Sequence, residues 1–452
     1  MNKLTLAEII QVTGAETNSD AKIFFENVTT DSRKITSGAL FIALKGENFN
    51  GEDFAAEALK KGAAAVIVSK TAQEISGGIV LKVDDTLTAY RQIAGSWRNR
   101  FDIPVVAVTG SNGKTTTKDL TAAALSGLGH VQKTSGNFNN EVGVPMTLLE
   151  LNEKNNAAVV EIGMRGLGQI ESLAQVVRPT IGIVTNVSEA HIEILGSMEN
   201  IALAKSEMVS AIPSGGTIIL NADNLYTAEM KNLAGEGVRV LTYSLEGDAD
   251  FVATDVLIGS VSTEFVLNFR GKKYDFEIPM LGRHNVSNAL AAIAAGYAVG
   301  LSVPEVQRGF SSLTTTKMRF EVIRRDGLTI INDAYNASPA SMRVAIKTTS
   351  EVYDGRLIAV LGDMLELGTI AEAVHREIGA ELVENKFDTL ITLGELGKFI
   401  AAGARDASLK NVYSFDTHED AAKKILELVR DGDTILFKAS HVMHMEKIIE
   451  LI

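Results

Sequence analysis

The stretch Thr109-Gly110-Ser111-Asn112-Gly113-Lys114-Thr115-Thr116 follows an apolar run at 105–108 and leads into a helix-forming run at 118–128. Strand, glycine turn and helix in that order make a phosphate cradle. Gly110 and Gly113 let the backbone turn tightly and aim its N–H groups inward, and the helix adds the positive end of its dipole. Lys114 can then reach terminal phosphates, and Thr115 places a hydroxyl where a nucleotide-bound magnesium ion takes an oxygen. A P-loop usually carries a further glycine ahead of its Gly-Lys pair, at the position of Val108 here, so this loop is a shortened variant.

Outward from the loop, residues 100–314 show the rhythm of a doubly wound parallel sheet. Apolar strands are expected at 105–108, 157–162, 181–184 and 217–220 with helices between them. Alternation of β type then runs from 241 to 279 and gives way to an Ala-rich helix at 286–299. Residues 315–452 repeat the α/β rhythm, with strands at 328–331, 357–361, 389–393 and 434–437, and predict a second, Rossmann-like domain without a P-loop. Residues 1–99 predict a smaller α/β unit: strands at 40–44, 65–68 and 79–83, helices at 53–61 and 86–99, a polar loop Thr30-Asp31-Ser32-Arg33 and a glycine-marked turn at 45–51. The expected fold is α/β in three domains, 1–99, 100–314 and 315–452.

Composition agrees with that division. A chain of 452 residues is too long for one core and fits three domains of about 150 residues. The net charge of −13, with no block of Lys or Arg, excludes a surface built to neutralise a nucleic-acid backbone. The absence of cysteine excludes disulfides, thiolate zinc sites and a cysteine nucleophile, and fits a reducing compartment. Residues 1–14 lack the apolar core of an export signal, and the longest small-apolar run, 289–301, is short of the about 20 residues that span a bilayer. We expect a cytoplasmic, monomeric protein with no membrane insertion.

Several residues are candidates for chemistry. Glu161 ends an apolar strand just before Gly163, and is either a solvated strand end or, with Thr115, a ligand of the nucleotide's magnesium ion. His191 follows a polar loop, 185–190, and reads as a surface residue or a metal ligand. Lys205 lies in a helical run, 200–212, where a lysine is ordinarily solvated; as an ammonium it binds no metal, but as the carbamate formed with carbon dioxide it would hold a second magnesium ion. Asn137, Asn139 and Asn140 crowd a glycine-containing turn, and suit either a sugar nucleotide or their own backbone. Gly282-Arg283-His284-Asn285-Val286-Ser287-Asn288 opens the Ala-rich helix, with Asn288 placed to read an adenine edge. Arg319, Asp333 and Asn336 cluster in the third segment, with Asp333 at a strand end where a ribose hydroxyl is held. His441 and His444 are spaced to share a helix face, and with no third ligand in view they read as surface histidines.

Taken in order, the cradle, the run 137–145, Glu161, His191, Lys205, Asn285, Asn288, Arg319 and Asp333-Ala334-Tyr335-Asn336 resemble the signature series of the Mur ligases. These are ATP-dependent amide-forming enzymes of bacterial cell-wall synthesis, and the resemblance covers essentially the whole chain. Asp31-Ser32-Arg33 resembles the uridine-binding segment of the two later members. Asp333-Ala334-Tyr335-Asn336-Ala337-Ser338-Pro339, together with the absence of an Asp-Asn-Pro-Arg motif, favours the member that adds a terminal dipeptide. Two departures stand out: Ser338 replaces an asparagine, and Lys438-Ala439-Ser440-His441 replaces a Lys-Gly-Ser-Arg pattern.

The resemblance implies that ATP phosphorylates the terminal carboxylate of UDP-MurNAc-tripeptide and that the amine of D-alanyl-D-alanine attacks the acyl phosphate. It implies ATP contacts from Gly110, Ser111, Asn112, Gly113, Lys114, Thr115, Thr116, Asn285, Asn288, Arg319, Asp333 and Asn336. Catalysis falls to Lys114, Glu161, His191 and Lys205, with Mg2+ held by Thr115, Glu161, His191 and carbamylated Lys205. Ser32 and Arg33 would hold the uridine end, with Asn137, Asn139, Asn140 and Arg165 nearer the pyrophosphate and sugar. The rival readings are a third-residue-adding Mur ligase, a folylpolyglutamate-synthase-like ligase and, from another class, a P-loop ATPase switch.

Overall fold

The computed structural model describes residues 3–46, 49–313 and 316–452. Glu47 in the predicted turn and the 314/315 boundary lie outside the described residues. The chain forms three successive α/β bodies, each on its own main sheet.

The first has five strands in the order Glu16–Thr17, Ile79–Val83, Ala65–Ser69, Leu40–Ile42 and Val28–Thr29; only the first of these is antiparallel to its neighbour. Its helix Thr86–Arg98 starts on Asp85, whose carboxylate accepts from Thr88 N at 2.6 Å. Tyr90 and Ile93 on that helix enter the first core while Ala94 enters the central one. Buried Arg98 then donates to the carbonyls of Phe101 at 2.7 Å and Val177 at 3.0 Å. One helix thereby seats the first body on the second.

The central sheet has nine strands, in the order Lys272–Ile278, Thr263–Phe269, Phe251–Ile258, Arg239–Ser244, Thr217–Asn221, Ile181–Val184, Val105–Thr109, Asn155–Glu161 and His130–Lys133. All pairs are parallel except the two that join the first three strands into a meander. Val105–Thr109 is buried at every residue, as a parallel strand covered by helices on both faces requires. One face is closed by helices Lys114–Ala124 and Arg283–Ala298, the other by helices Gly143–Leu149, Gln169–Val177 and Met198–Ser210. The first of these helices begins at Lys114 rather than at 118 and ends at Ala124, with a 3-10 turn, Leu125–Leu128, after it. Three consecutive threonines conceal this start in the sequence; packing on the Ala-rich helix outweighs their weak helix preference.

The third body has six strands in the order Glu321–Arg325, Leu328–Asn332, Thr434–Lys438, Leu357–Gly362, Thr389–Leu393 and Asn411–Phe415, parallel beyond the first pair. His441 and His444 share no α-helix: His441–Met443 is a single 3-10 turn, and His444 caps it in the left-handed region at φ 48°. The third body is drawn onto the second at several points. Thr316 donates through N, at 3.1 Å, and Oγ1, at 2.7 Å, to the buried carboxylate of Asp119.

Candidate active site

Strand Val105–Thr109 lies between Asn155–Glu161 on one side and Ile181–Val184 on the other, so chain order reverses around it. Such a switch point opens a crevice at the carboxyl ends of the strands. The glycine loop, Glu161 and Asn186 all sit there. Glu161 is level with Val108 and Val184 with Thr109.

The loop is held by its neighbour. Ser111 N donates to Asn186 O and Asn112 N to Asn186 Oδ1, both at 2.9 Å, and Thr185 Oγ1 donates to Asn112 O at 2.6 Å. Gly110, at φ 145°, has no room for a side chain: a Cβ would lie 1.9 Å from Thr185 Oγ1. Gly113, at φ 79°, would meet Asn288 Oδ1 at 2.5 Å. The shortened loop is thus closed against strand and helix neighbours, with glycine where each comes nearest. Lys114 folds back over it, donating to the carbonyls of Gly110 at 2.9 Å and Ser111 at 3.0 Å. Burial pushes its ammonium down, nearby Glu161 opposes that shift and Arg319 adds to it.

Glu161 is 1% exposed. Its Oε1 accepts from Asn139 Nδ2 at 2.8 Å, while its buried Oε2 has no partner among the described residues. An orphaned carboxylate oxygen is costly unless a cation meets it. Thr115 Oγ1, on the first turn of the loop's helix, accepts from Arg319 Nη2 at 3.1 Å. A hard cation that takes one or two protein oxygens and completes its shell with phosphates and water fits this donor set. No cluster of three or more acidic, His or Cys groups is present among the described residues.

A cavity of about 380 Å3 opens between the second and third bodies. Of the residues expected to touch ATP, all but Gly110 line it. Asn288 bridges Thr117 Oγ1, at 3.1 Å, and Asn285, at 3.2 Å. Arg319 lies 3.8 Å over the Tyr335 ring. Asp333 accepts from Phe320 N at 3.0 Å and from Lys438 Nζ at 2.5 Å, and Lys438 also donates to Asn336 O at 3.0 Å. Ser338, which also caps helix Pro339–Val352, donates to Asn112 Oδ1 at 2.8 Å and so joins the third body to the glycine loop.

His284, Lys438 and Ser338 are among the cavity residues to which the sequence assigned no role. Lys438 and Ser338 lie in the two segments that depart from the family pattern, and His284 lies in the run 282–288 that opens the Ala-rich helix. Burial pushes His284 down to about 4, against the pull of Asp333. The unfolded chain binds that proton near pH 6.5 and the folded chain only near 4, so the stability at stake is intact above about 6.5 and is lost as pH falls from there toward 4. The gap corresponds to roughly 3 kcal/mol. The thermal midpoint should therefore drop between pH 7 and pH 4.5, and His284→Gln should shrink that drop, as read by calorimetry.

His191 does not line the cavity; it has φ 64°, and its Nδ1 is 2.5 Å from Glu366 Oε2 of the third body. Arg165 Nη2 is 3.7 Å from the other Glu366 oxygen. Lys205, on helix Met198–Ser210, is 1% exposed and has no acidic partner within ion-pair distance among the described residues. Burial, and then the charge of Lys114, hold its amine well below the usual lysine range. Of the residues expected at the sugar nucleotide, Asn139 faces Glu161 and Asn140 Oδ1 accepts from Gly143 N at 2.9 Å, opening helix Gly143–Leu149. Arg33 is exposed and pairs with Asp31 through two bonds of 2.9 Å, and Lys61 Nζ donates to Ser32 O at 3.2 Å. Ser32 and Arg33 lie on the first body and are not part of the cavity.

A glycine loop at a strand switch point, facing a second α/β domain across a cavity that Arg319 and Asp333 also line, has the architecture of a multidomain P-loop enzyme. Three family profiles match along the chain: the Mur ligase family catalytic domain at 25–97, the Mur ligase middle domain at 108–296 and the Mur ligase glutamate ligase domain at 318–441. UDP-N-acetylmuramoyl-tripeptide–D-alanyl-D-alanine ligase of Bacillus subtilis is 40% identical over 98% of this chain and 96% of its own length. A crystal structure of MurF from Acinetobacter baumannii superposes with a TM-score of 0.92 at 31% identity, covering 100% of this chain and 98% of the other. That of MurF ligase from Thermotoga maritima in complex with ADP gives 0.84 at 27% identity, over 94% and 96%. The chain belongs to the Mur ligase family.

Proposed function

We propose that this chain is the ATP-dependent ligase that joins D-alanyl-D-alanine to UDP-MurNAc-tripeptide, giving the pentapeptide precursor of peptidoglycan, ADP and phosphate. The convergence of Lys114, Arg319, Asp333 and Ser338 on one interdomain cavity carries the reading, alongside relatives with that name over nearly the full chain. The functional units proposed are 1–99 for the uridine nucleotide, 100–314 for ATP and 315–452 as a Rossmann-like ligase domain that closes over the nucleotide. A cytoplasmic location is part of this reading; no helix among the described residues is long and apolar enough to cross a membrane.

The chemistry requires two anions to meet, so both must be neutralised in place. Lys114 would leave its loop carbonyls for the terminal phosphates of ATP, and Arg319 would follow from above. Thr115 and the free oxygen of Glu161 would hold Mg2+, with His191 and carbamylated Lys205 at a second ion; bound there, magnesium supplies charge neutralisation for the transferring phosphoryl group. A neutral amine is the form that takes up carbon dioxide, releasing a proton as the N–C bond forms, and the burial of Lys205 favours that form. Asn288, Asp333 and Asn336 would hold adenine and ribose. Asn139 would keep Glu161 turned, while Ser32, Arg33, Asn137, Asn140 and Arg165 would take the uridine nucleotide.

Phosphate release tests this. We expect release only when ATP, UDP-MurNAc-tripeptide and D-alanyl-D-alanine are all present. Turnover of ATP alone would instead support a switch, and release with a diamino acid and the dipeptide nucleotide would support the third-residue-adding enzyme.

A further inference from the structure

Glu366 has no part in the chemistry above, although three residues of the second body converge on it. Its Oε2 meets His191 Nδ1 at 2.5 Å, its Oε1 lies 3.7 Å from Arg165 Nη2, and its carbonyl accepts from Glu193 N at 3.3 Å. Glu366 belongs to the third body and the other three residues to the second, so the contact exists only with the domains together. Both Glu366, at φ 63°, and His191, at φ 64°, hold left-handed backbone that a side chain disfavours. Such conformations persist where the surroundings enforce them.

The loop that leads to Glu366 is held in place. On the third body, His375 Nε2 accepts from Met364 N at 3.0 Å, Ser440 Oγ accepts from Leu365 N at 3.0 Å, and Ser440 N donates to Asp363 O at 2.9 Å. His375 is fully buried, and its other ring nitrogen faces Ala371 O at 2.6 Å, so its Nε2 is the accepting nitrogen. The backbone N–H groups of Met364 and Leu365, on the approach to Glu366, are thereby fixed by side chains of their own domain. Ser440 follows Lys438, which grips Asp333 and Asn336 in the nucleotide cavity. One strand end thus supports the nucleotide cavity and the Glu366 loop together.

We propose that Glu366 is a positioning residue for His191, presented by the third domain on closure, which fixes the imidazole as its Nδ1–H tautomer and leaves Nε2 free for the cation at the substrate carboxylate. An ionised carboxylate can only accept, so the shared proton belongs to the histidine, and in the neutral imidazole with Nδ1 protonated it is Nε2 that presents its lone pair to a cation. Ligating histidines are commonly oriented by a carboxylate on their other nitrogen. Here that carboxylate comes from a different domain, so the ligand form of His191 depends on closure. The inference rests on reading His191 as a metal ligand.

The test uses the full chain labelled with 15N-histidine. In wild type with ADP bound, His191 should show protonated Nδ1 and unprotonated Nε2. Glu366→Ala should shift it toward the Nε2–H form that free imidazole prefers and lower kcat by about 10- to 100-fold, with the KM for ATP nearly unchanged. Glu366→Gln retains an accepting oxygen, so it should keep the Nδ1–H signature and recover most of the loss. An unmoved His191 signature in Glu366→Ala would overturn the proposal, as would a Gln variant as impaired as the Ala variant. Failure of the underlying reading is distinguishable: His191→Ala would then leave Mn2+ affinity, measured by electron paramagnetic resonance with ADP and the tripeptide nucleotide, at the wild-type value.

Discussion

Lys114→Ala should lower kcat/KM by about 10^3-fold, a loss of about 4 kcal/mol of transition-state stabilisation. The side chain is the one cation on the glycine loop itself, and its Nζ rests on the carbonyls of Gly110 and Ser111, within the loop that would wrap the phosphates. A transferring phosphoryl group spreads charge over its outer oxygens, so a cation fixed at that point acts more on the transition state than on bound ATP. Removing it should leave the fold intact, because the loop is held by Asn186, Thr185 and Ser188 through bonds that do not involve the lysine. Phosphate release with saturating co-substrates, beside an unchanged thermal midpoint, checks both halves. Near-normal turnover would reject the phosphate-site assignment.

Lys205→Ala should lower turnover by about 10^2- to 10^3-fold, and a short carboxylic acid such as formate or acetate should restore part of it. The argument starts from cost. An ammonium buried to 1% exposure with no acid at ion-pair distance among the described residues, and with the Lys114 charge beside it, is unstable where it stands. Conversion to a carbamate replaces that charge by an anion, which the same Lys114 and a bound cation would both stabilise. The variant leaves room where the carbamate stood, and a small carboxylate in the buffer can enter it. Rescue graded by acid size is the expected pattern; absence of rescue by any small acid, with an unmodified mass for the wild-type lysine, would remove the carbamate from the mechanism.

How much of this was legible in the chain depended on whether the signal was local. Val105–Thr109 and its parallel neighbours are buried on both faces, so they appear as unbroken apolar runs. The edge strands His130–Lys133 and Asn411–Phe415 are partly exposed and polar, and the same reading passes over them. Glycines at 110 and 113 marked the loop, but the reason for Gly110, the approach of Thr185, lies some 75 residues away and is visible only in three dimensions. The same holds for Glu366, 175 residues from His191, and for Lys438 beside Asp333. Ser338 registered in the sequence only as a departure; its bond to Asn112 gives the position a physical meaning. Asn139 carried an ambiguous signal, ligand or loop, and in the structure its amide faces Glu161.

The central claim is that the substrate acid is activated by phosphoryl transfer in this cavity, and oxygen tracing tests it most directly. With 18O in the terminal carboxylate of UDP-MurNAc-tripeptide, the account predicts one labelled oxygen in each inorganic phosphate formed, and only when D-alanyl-D-alanine is present to complete the reaction. Unlabelled phosphate accompanying pentapeptide formation would contradict it.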